Sequence, residues 1–290
     1  MNQSTLVPIQ PSGRRPPLYL VHEIFGGVRC YEDLARALGP DQPLYAFRSA
    51  SEDAGHAYGI EEMASIYVRD LEAFDPAGPH VIGGYSFGGL IAFEMARQLE
   101  AKGQSPALVV MLDTFLPGYR TSVCFQRKAN LFWENARAEG FRYVARKARN
   151  KRDYWARIGK NKLLCVAGSV LESIGCPRPR RVRKALEEKK NFCELASYSP
   201  GPYGGSVLHI FCKHRQDILG KSEDDPYFGW GILDCSGFEM CPIPTDHSSL
   251  LSEPSLSIVA QNLTRKLPLA LMKCQPVPYS TRDARASMAG

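Results

Sequence analysis

The sequence around residue 86 decides how the chain is organised: it reads Gly84-Tyr85-Ser86-Phe87-Gly88, and Gly89 follows directly. The apolar run from His80 to Tyr85 predicts a strand, and Phe87 to Ala101 has the pattern of a long helix. A serine between a strand and a helix, with glycines two positions away on each side, is typical of a tight turn that raises the hydroxyl above a sheet edge. The N-terminus of the following helix favours negative charge there. We therefore interpret Ser86 as a nucleophile.

Outward from this turn, strand-like and helical segments alternate. Apolar runs predict further strands at Leu18 to His22, Pro43 to Phe47 and Ala107 to Leu112, and helical spacing predicts helices at Tyr31 to Leu38 and Glu61 to Phe74. The wholly apolar composition of the third run is expected of a parallel strand that is buried on both faces. The alternation predicts an α/β fold, with a mainly parallel central sheet and flanking helices.

The alternation stops at about residue 115 and resumes at about residue 205. The intervening stretch is basic, aromatic and helical in pattern, and we interpret it as an inserted helical lid, because long structureless loops are uncommon in compact domains. Strands resume at Ser206 to Lys213 and Phe238 to Ile243, and a last helix is predicted from about Pro254 to Leu267. The predicted organisation is a linker or N-terminal arm at 1–17, one domain at 18–268 and a disordered tail at 269–290.

Composition narrows the protein class. The 290 residues are 44% hydrophobic and 23% charged, as in ordinary globular proteins. The longest apolar run, Ala107 to Leu112, is too short to span a bilayer, and no signal pattern suggests export. Nine cysteines without a C-x-x-C pair argue against a disulfide framework and a structural zinc site. We therefore expect a cytoplasmic protein with no membrane association and no bound metal or cofactor.

The net charge of +6 hides an asymmetry. Residues 119–190 carry a net charge of +14, and the rest of the chain carries −8. The basic stretch is either a solvated helical surface or a docking face for an acidic partner. A nucleic-acid partner is not expected, since no nucleic-acid-binding motif accompanies the charge.

A serine needs a base to take its proton, and histidine is the usual one. The serine turn on a mainly parallel sheet predicts the α/β-hydrolase fold. The chain order in that fold is serine, acid, histidine, which leaves His209, His214 and His247. His209 lies inside an apolar strand and is expected to be packed, and His214 ends that strand. His247 lies in a loop between a strand and the last helix, from which it can reach over Ser86. We predict that His247 is the base.

Two aspartates compete for the acid that orients the histidine. Asp113 ends the strand after the nucleophile helix, and Asp217 lies just past the strand at Ser206 to Lys213, so both sit at the carboxyl edge of the sheet. The residues alone give a modest preference for Asp113, because it closes a clean buried strand. Asp246 is too close in sequence to orient its neighbour's ring.

An acyl-transfer site also needs donors for the oxyanion of the tetrahedral intermediate. One is predicted to be the backbone N–H of Phe87, directly after the nucleophile. The second should come from the loop His22-Glu23-Ile24-Phe25-Gly26-Gly27, where the N–H of Ile24 is the candidate. We interpret His22 as a structural residue that shapes this loop.

Together these features resemble the type I thioesterase domains that end nonribosomal peptide synthetases, polyketide synthases and animal fatty acid synthase. The resemblance covers about residues 5–268. It is carried by Leu6-Val7-Pro8-Ile9-Gln10, Arg15-Pro16-Pro17, Val21-His22 before Gly26-Gly27, Gly84 to Gly89, Leu112-Asp113, Tyr198-Ser199-Pro200, Pro202-Tyr203, Trp230, Asp246-His247, Leu250 and Glu253-Pro254.

The resemblance implies that Asp113, rather than Asp217, is the acid. It also implies an acyl chain delivered on the phosphopantetheine arm of an acidic acyl or peptidyl carrier protein, with release by hydrolysis or by cyclisation. Glu23 is a departure, since relatives often carry proline there. Tyr85 points to the product-releasing class, because editing thioesterases usually have histidine at that position.

Two other functions are compatible with the fold. A carboxylesterase or lipase would use the same triad on oxygen esters. A binding protein could keep the fold without catalysis, although the complete set of Ser86, Asp113 and His247 argues against it.

Overall fold

The computed structural model describes residues 4–51, 56–117, 133, 136–137, 140–213, 230 and 237–273. Its strands are β1 Leu6–Gln10, β2 Leu18–Val21, β3 Leu44–Phe47, β4 Val81–Tyr85, β5 Leu108–Leu112, β6 Ser206–Cys212 and β7 Gly237–Ile243. Its helices of more than one turn are α1 Glu32–Leu38, α2 Ile60–Phe74, α3 Phe87–Ala101, α4 Phe141–Ser173, α5 Arg180–Ser197 and α6 Ser255–Lys273.

The described strands form one sheet in the order β1-β3-β2-β4-β5-β6-β7. Every neighbouring pair is parallel except β1 with β3. The predicted α/β class with a mainly parallel sheet is therefore confirmed. Each residue of β5 is buried, as its apolar sequence predicts for a central strand.

Helices cover both faces of the sheet. On one face, α2 and α3 bury Met63, Tyr67, Phe87 and other apolar side chains against β2, β4 and β5. On the opposite face, α1 and α6 bury a second cluster that includes Leu34 and Leu263. No helix among these described segments is long and apolar enough to cross a membrane.

The prediction of a linker at 1–17 is wrong for Leu6–Gln10. These residues form β1, which pairs with β3 at the sheet edge, and the N–H and Oγ1 of Thr5 both donate to Asp70 Oδ2 at 2.7 Å. The Pro, Gln and Ser content of residues 1–17 favoured an arm, but an edge strand tolerates proline because one side of its backbone has no partner strand.

The inserted segment between β5 and β6 contains two described helices, α4 and α5, which pack against each other. Its role as a lid stays a prediction. At the other end, α6 continues to Lys273, past the predicted end at Leu267, because Leu267 and Ala270 extend its buried face. The predicted disordered tail therefore begins inside a helix, and residues 274–290 lie outside the described part of the chain.

Candidate active site

Ser86 lies at the turn between β4 and α3, as its sequence predicts. Its backbone has φ 55° and ψ −113°, a conformation that non-glycine residues rarely adopt, and its N–H donates to the carbonyl of Leu112 at 2.8 Å. The turn also needs Gly84, because a Cβ there would overlap the backbone of Gly88. The serine is therefore held in a strained, outward position at the carboxyl end of the parallel strands.

Asp113 follows β5 directly, at the same edge of the sheet. Its side chain is fully buried, its Oδ1 accepts the N–H of Cys212 at 3.0 Å, and its Oδ2 lies 2.5 Å from His247 Nδ1. Both carboxylate oxygens are thus engaged, which fixes the direction in which the carboxylate meets the imidazole. With Nδ1 donating to Asp113, Nε2 of His247 is left to accept a proton.

Tyr85 positions His247 beside the turn. The two rings stack with their centroids 4.8 Å apart and an interplanar angle of 20°, and Tyr85 Oη donates to the carbonyl of His247 at 2.5 Å. Because Tyr85 precedes Ser86, this contact places the imidazole against the residue next to the nucleophile in sequence. Among the described hydrogen bonds none joins the Ser86 hydroxyl to His247, and in free enzymes such bonds are often long until substrate binds.

The other candidate bases and acids have different places. His209 is fully buried in β6, and its Nε2 accepts the N–H of Thr114 at 3.2 Å, so the prediction that it is packed is confirmed. Asp246 accepts the hydroxyl of Ser248 at 2.7 Å, whereas the Nδ1 atom of His247 meets Asp113. His214 and Asp217 lie outside the described residues.

The predicted oxyanion donors lie at the start of α3 and in the loop after β2. Phe87 is the first residue of α3, so its N–H has no partner within the helix. In the loop, the carbonyl of Glu23 accepts His22 Nδ1–H at 2.7 Å and the N–H of Gly26 at 2.8 Å. That carbonyl and the N–H of Ile24 belong to one planar trans peptide and point in opposite directions. The two bonds therefore set the direction of the Ile24 donor.

The other ring nitrogen of His22 also has a hydrogen-bond partner. The hydroxyl of Tyr67 lies 2.9 Å from His22 Nε2 and accepts the N–H of Ala50 at 3.1 Å. Burial lowers the pKa of His22 to about 4, so the ring is neutral at pH 7. A neutral ring that donates from Nδ1 must accept at Nε2, and the Tyr67 hydroxyl supplies that proton. This arrangement agrees with our interpretation of His22 as the residue that shapes the loop.

Residues 16–122 match the family model of the thioesterase domain. The chain contains a thioesterase-family domain. This thioesterase domain is 41% identical over 265 residues to malpinin synthetase of Mortierella alpina, an alignment that covers 90% of the chain and 3% of that protein. Other curated relatives include atromentin synthetase of Tapinella panuoides, at 36% identity over 110 residues, and polyketide synthase PksR of Bacillus subtilis, at 36% identity over 111 residues. The chain spans 3% of the length of malpinin synthetase, 12% of atromentin synthetase and 4% of PksR.

Two solved structures resemble the thioesterase domain in fold. A four-domain nonribosomal peptide synthetase, holo-AB3403, aligns with a TM-score of 0.63 and 25% identity over 91% of this chain and 20% of that one. The NocB thioesterase domain from the nocardicin cluster aligns with a TM-score of 0.61 and 23% identity over 92% of this chain and all of that one. The predicted family is confirmed by the family model and by the relative at 41% identity, and the two structures agree with the predicted fold.

Sequence reasoning missed two residues of the thioesterase domain that shape its site. Tyr85 was used only to distinguish classes of thioesterase, whereas in the structure its ring stacks on the imidazole of His247. Glu23 stood only as a departure from the family pattern, whereas its carboxylate accepts the N–H groups of Phe25 at 2.8 Å and Gly27 at 3.3 Å. A carboxylate just ahead of two glycines was the available signal, because it can bond to backbone N–H groups that a tight turn leaves free.

Proposed function

We propose that this domain releases an acyl, polyketide or peptide chain from a phosphopantetheinyl carrier protein through an ester on Ser86. One observation carries the proposal. The buried Asp113 carboxylate meets His247 Nδ1 at 2.5 Å, and Tyr85 stacks that same imidazole beside the strained serine turn. These contacts support the proposal, because a serine nucleophile requires a histidine base and an acid that orients that base.

The first half-reaction forms the acyl-enzyme. His247 Nε2 takes the proton of the Ser86 hydroxyl while Oγ attacks the carbonyl carbon of the thioester. The negative oxygen of the tetrahedral intermediate accepts the N–H groups of Ile24 and Phe87. As the intermediate collapses, the C–S bond breaks and the leaving thiolate takes the proton from His247.

The second half-reaction releases the chain. His247 removes a proton from water, or from a hydroxyl or amine of the bound chain, and that group attacks the Ser86 ester. Collapse of the second intermediate returns the proton to Ser86 Oγ. Water gives a free acid and an internal nucleophile gives a ring, and neither outcome requires a metal or a bound cofactor.

The carrier-protein part of the proposal is supported by the relatives and by charge. The curated relatives include synthetases and a polyketide synthase, which are far longer than this chain. Residues 119–190 carry +14, which complements an acidic carrier surface. The phosphopantetheine arm would then present the thioester to Ser86.

The test is intact-mass spectrometry of the chain after it is mixed with an acyl-pantetheine thioester. We expect an adduct with the mass of the acyl group on the wild-type protein and none on Ser86→Ala, which removes the nucleophile and little volume. An adduct on Ser86→Ala would rule out the assigned nucleophile. Faster turnover of simple oxygen esters would favour a carboxylesterase, and failure of a fluorophosphonate probe to label Ser86 would favour a binding protein.

A further inference from the structure

Helix α5 of the inserted segment touches the loop that carries the Ile24 donor. Asn191 of α5 is fully buried, and its Nδ2 donates to the carbonyl of Ile24 at 2.8 Å. The next residue, Phe192, meets Phe25 edge-on with ring centroids 6.2 Å apart. A residue 167 positions away in sequence therefore binds the backbone beside the predicted oxyanion donor.

The Asn191 bond completes a set that holds the backbone on both sides of Ile24. The peptide before it is held at the carbonyl of Glu23, by His22 and Gly26. The peptide after it is held at both ends, because Asn191 binds its carbonyl and the Glu23 carboxylate accepts the N–H of Phe25. With both flanking peptides fixed, the N–H of Ile24 has little freedom to turn away from an oxyanion.

We propose that Asn191 is a positioning residue for acyl transfer. Its amide, carried by the inserted helix, holds the peptide after Ile24 so that the Ile24 N–H points at the developing oxyanion. This inference rests on the proposed function. It also links two parts of the molecule, because the donor is fully aligned only while α5 is seated on the loop.

The chain offers a matched control for this bond. Asn161 of α4 donates its side-chain amide to Glu188 of α5, so it also ties α5 in place, but within the inserted segment. Asn161→Ala removes one side-chain hydrogen bond to α5, and it leaves the hydrogen bond between α5 and the Ile24 loop in place. A difference between the Asn161 and Asn191 variants therefore reports on the loop rather than on the stability of the helices.

The experiment compares wild type, Asn191→Leu, Asn191→Ala and Asn161→Ala on an acyl-pantetheine thioester. Leucine keeps the branching and heavy-atom count of asparagine without its hydrogen-bonding groups. Alanine adds neither bulk nor charge, so it serves as the second variant if the leucine variant does not fold. We expect the Asn191 variants to lower kcat about tenfold with KM within twofold. That loss is smaller than the 10²–10³ of removing a donor outright, because the donor remains but is less well aligned.

A second readout separates alignment from general loosening. Phenylboronic acid forms a tetrahedral adduct with a nucleophilic serine, which places an oxygen where the oxyanion would lie. We expect its inhibition constant to rise by about the same factor as kcat falls in the Asn191 variants, and to stay within twofold of wild type in Asn161→Ala.

Three results would overturn the inference. Folded Asn191 variants with kcat within twofold of wild type would remove the positioning role. An equal loss of kcat in Asn161→Ala would assign the effect to packing of the inserted helices. A wild-type chain that neither turns over the thioester nor is labelled by fluorophosphonate would reject the proposed function itself, a result visible before any variant of Asn191 is made.

Discussion

At the scale of single residues, Ser86 and Asp113 share an uncommon backbone conformation. Their φ angles are 55° and 50°, and they follow β4 and β5, which are adjacent in the sheet. Each is fixed by a backbone bond to the neighbouring strand, from Ser86 N–H to Leu112 and from Asp113 N–H to Ile210. Such strain persists only where the surroundings determine it, so both side chains leave the sheet edge in fixed directions.

The first prediction concerns the acid. Asp113→Asn should lower kcat by about 10³–10⁴, because an amide cannot hold His247 in the tautomer whose Nε2 accepts a proton. Steady-state turnover of an acyl-pantetheine thioester measures the effect, and Asp217→Asn is the control, with a mild loss expected. A severe loss in the Asp217 variant with a mild one in the Asp113 variant would transfer the role to Asp217.

The second prediction concerns pH and His22. The pKa of His22 is about 4 in the folded chain, because burial disfavours its charged form, and about 6.5 when unfolded. The unfolded chain thus binds the proton more tightly between these values. The contribution of His22 to the free energy of unfolding is fully present above about pH 6.5. It is lost as the pH falls through 4, and the total loss is about 3 kcal/mol.

Urea unfolding at pH 7 and at pH 4.5 measures that loss. His22→Gln should flatten the dependence over this window, and the same change at the exposed His56 should leave it as in wild type. An identical slope in wild type and His22→Gln would contradict the prediction.

At the scale of elements, the start of α5 shows that the basic stretch is not one uniform surface. Arg178 pairs with Glu172 at 2.6 Å. Arg180, Arg183 and Lys184 line a small cavity beside the oxyanion loop. Arg149 of α4 and Arg181 of α5 are exposed and do not line it. Only the last two are therefore suited to testing attraction at a distance without disturbing packing.

The third prediction is that Arg149→Glu with Arg181→Glu raises KM for a carrier-bound thioester and leaves a pantetheine thioester nearly unchanged. Exposed charges act mainly on encounter rate and are screened over about 8 Å at physiological salt, so added salt should weaken the carrier-bound reaction selectively. Arg265→Glu on α6 is the control for an exposed arginine outside the inserted segment.

Steady-state assays of both substrates measure the two KM values, and stopped-flow assays measure the rate of encounter with the carrier protein. Equal losses on the two substrates would mean that these arginines support the fold of the inserted segment. No loss on either would make the basic stretch a solvated surface, the alternative that the sequence leaves open.

Elements with a strong local pattern could be predicted from the sequence. The boundaries of α3 agree residue for residue, since its apolar face is continuous and the serine turn marks its start. β1 was missed, because the Pro, Gln and Ser content of residues 1–17 suggested an arm and only pairing with β3 makes these residues a strand. At the site, the Asp113–His247 contact followed from chain order and family resemblance. The bond of Asn191 could not be predicted, because it depends on a distant helix rather than on a local pattern. The bonds of Glu23 had a local signal, the carboxylate ahead of two glycines, which the sequence analysis did not use.

At the scale of the whole molecule, the fourth prediction concerns the N-terminal edge of the sheet. Deleting residues 1–10 removes β1 and both bonds from Thr5 to Asp70. Each bond is worth about 1 kcal/mol, and 1 kcal/mol shifts Tm by about 2–4 °C in a domain of 150–250 residues. We expect calorimetry to show a fall in Tm of at least about 5 °C, with a smaller fall for Thr5→Val. An unchanged Tm after the deletion would mean that this segment contributes no stability.

The residues of the site meet across long stretches of chain, which has a consequence for biosynthesis. Three hydrogen bonds join distant residues: Ile24 with Asn191, Asp113 with His247, and Tyr85 with His247. The partners are 167, 134 and 162 residues apart in sequence. High contact order slows folding, because loops must close before their contacts form. A nascent polypeptide still missing residue 247 has a serine without its base, however much of the sheet has emerged from the ribosome. Catalysis should therefore begin only after residue 247 has been synthesised, and no fragment of this domain that ends before His247 should have partial activity.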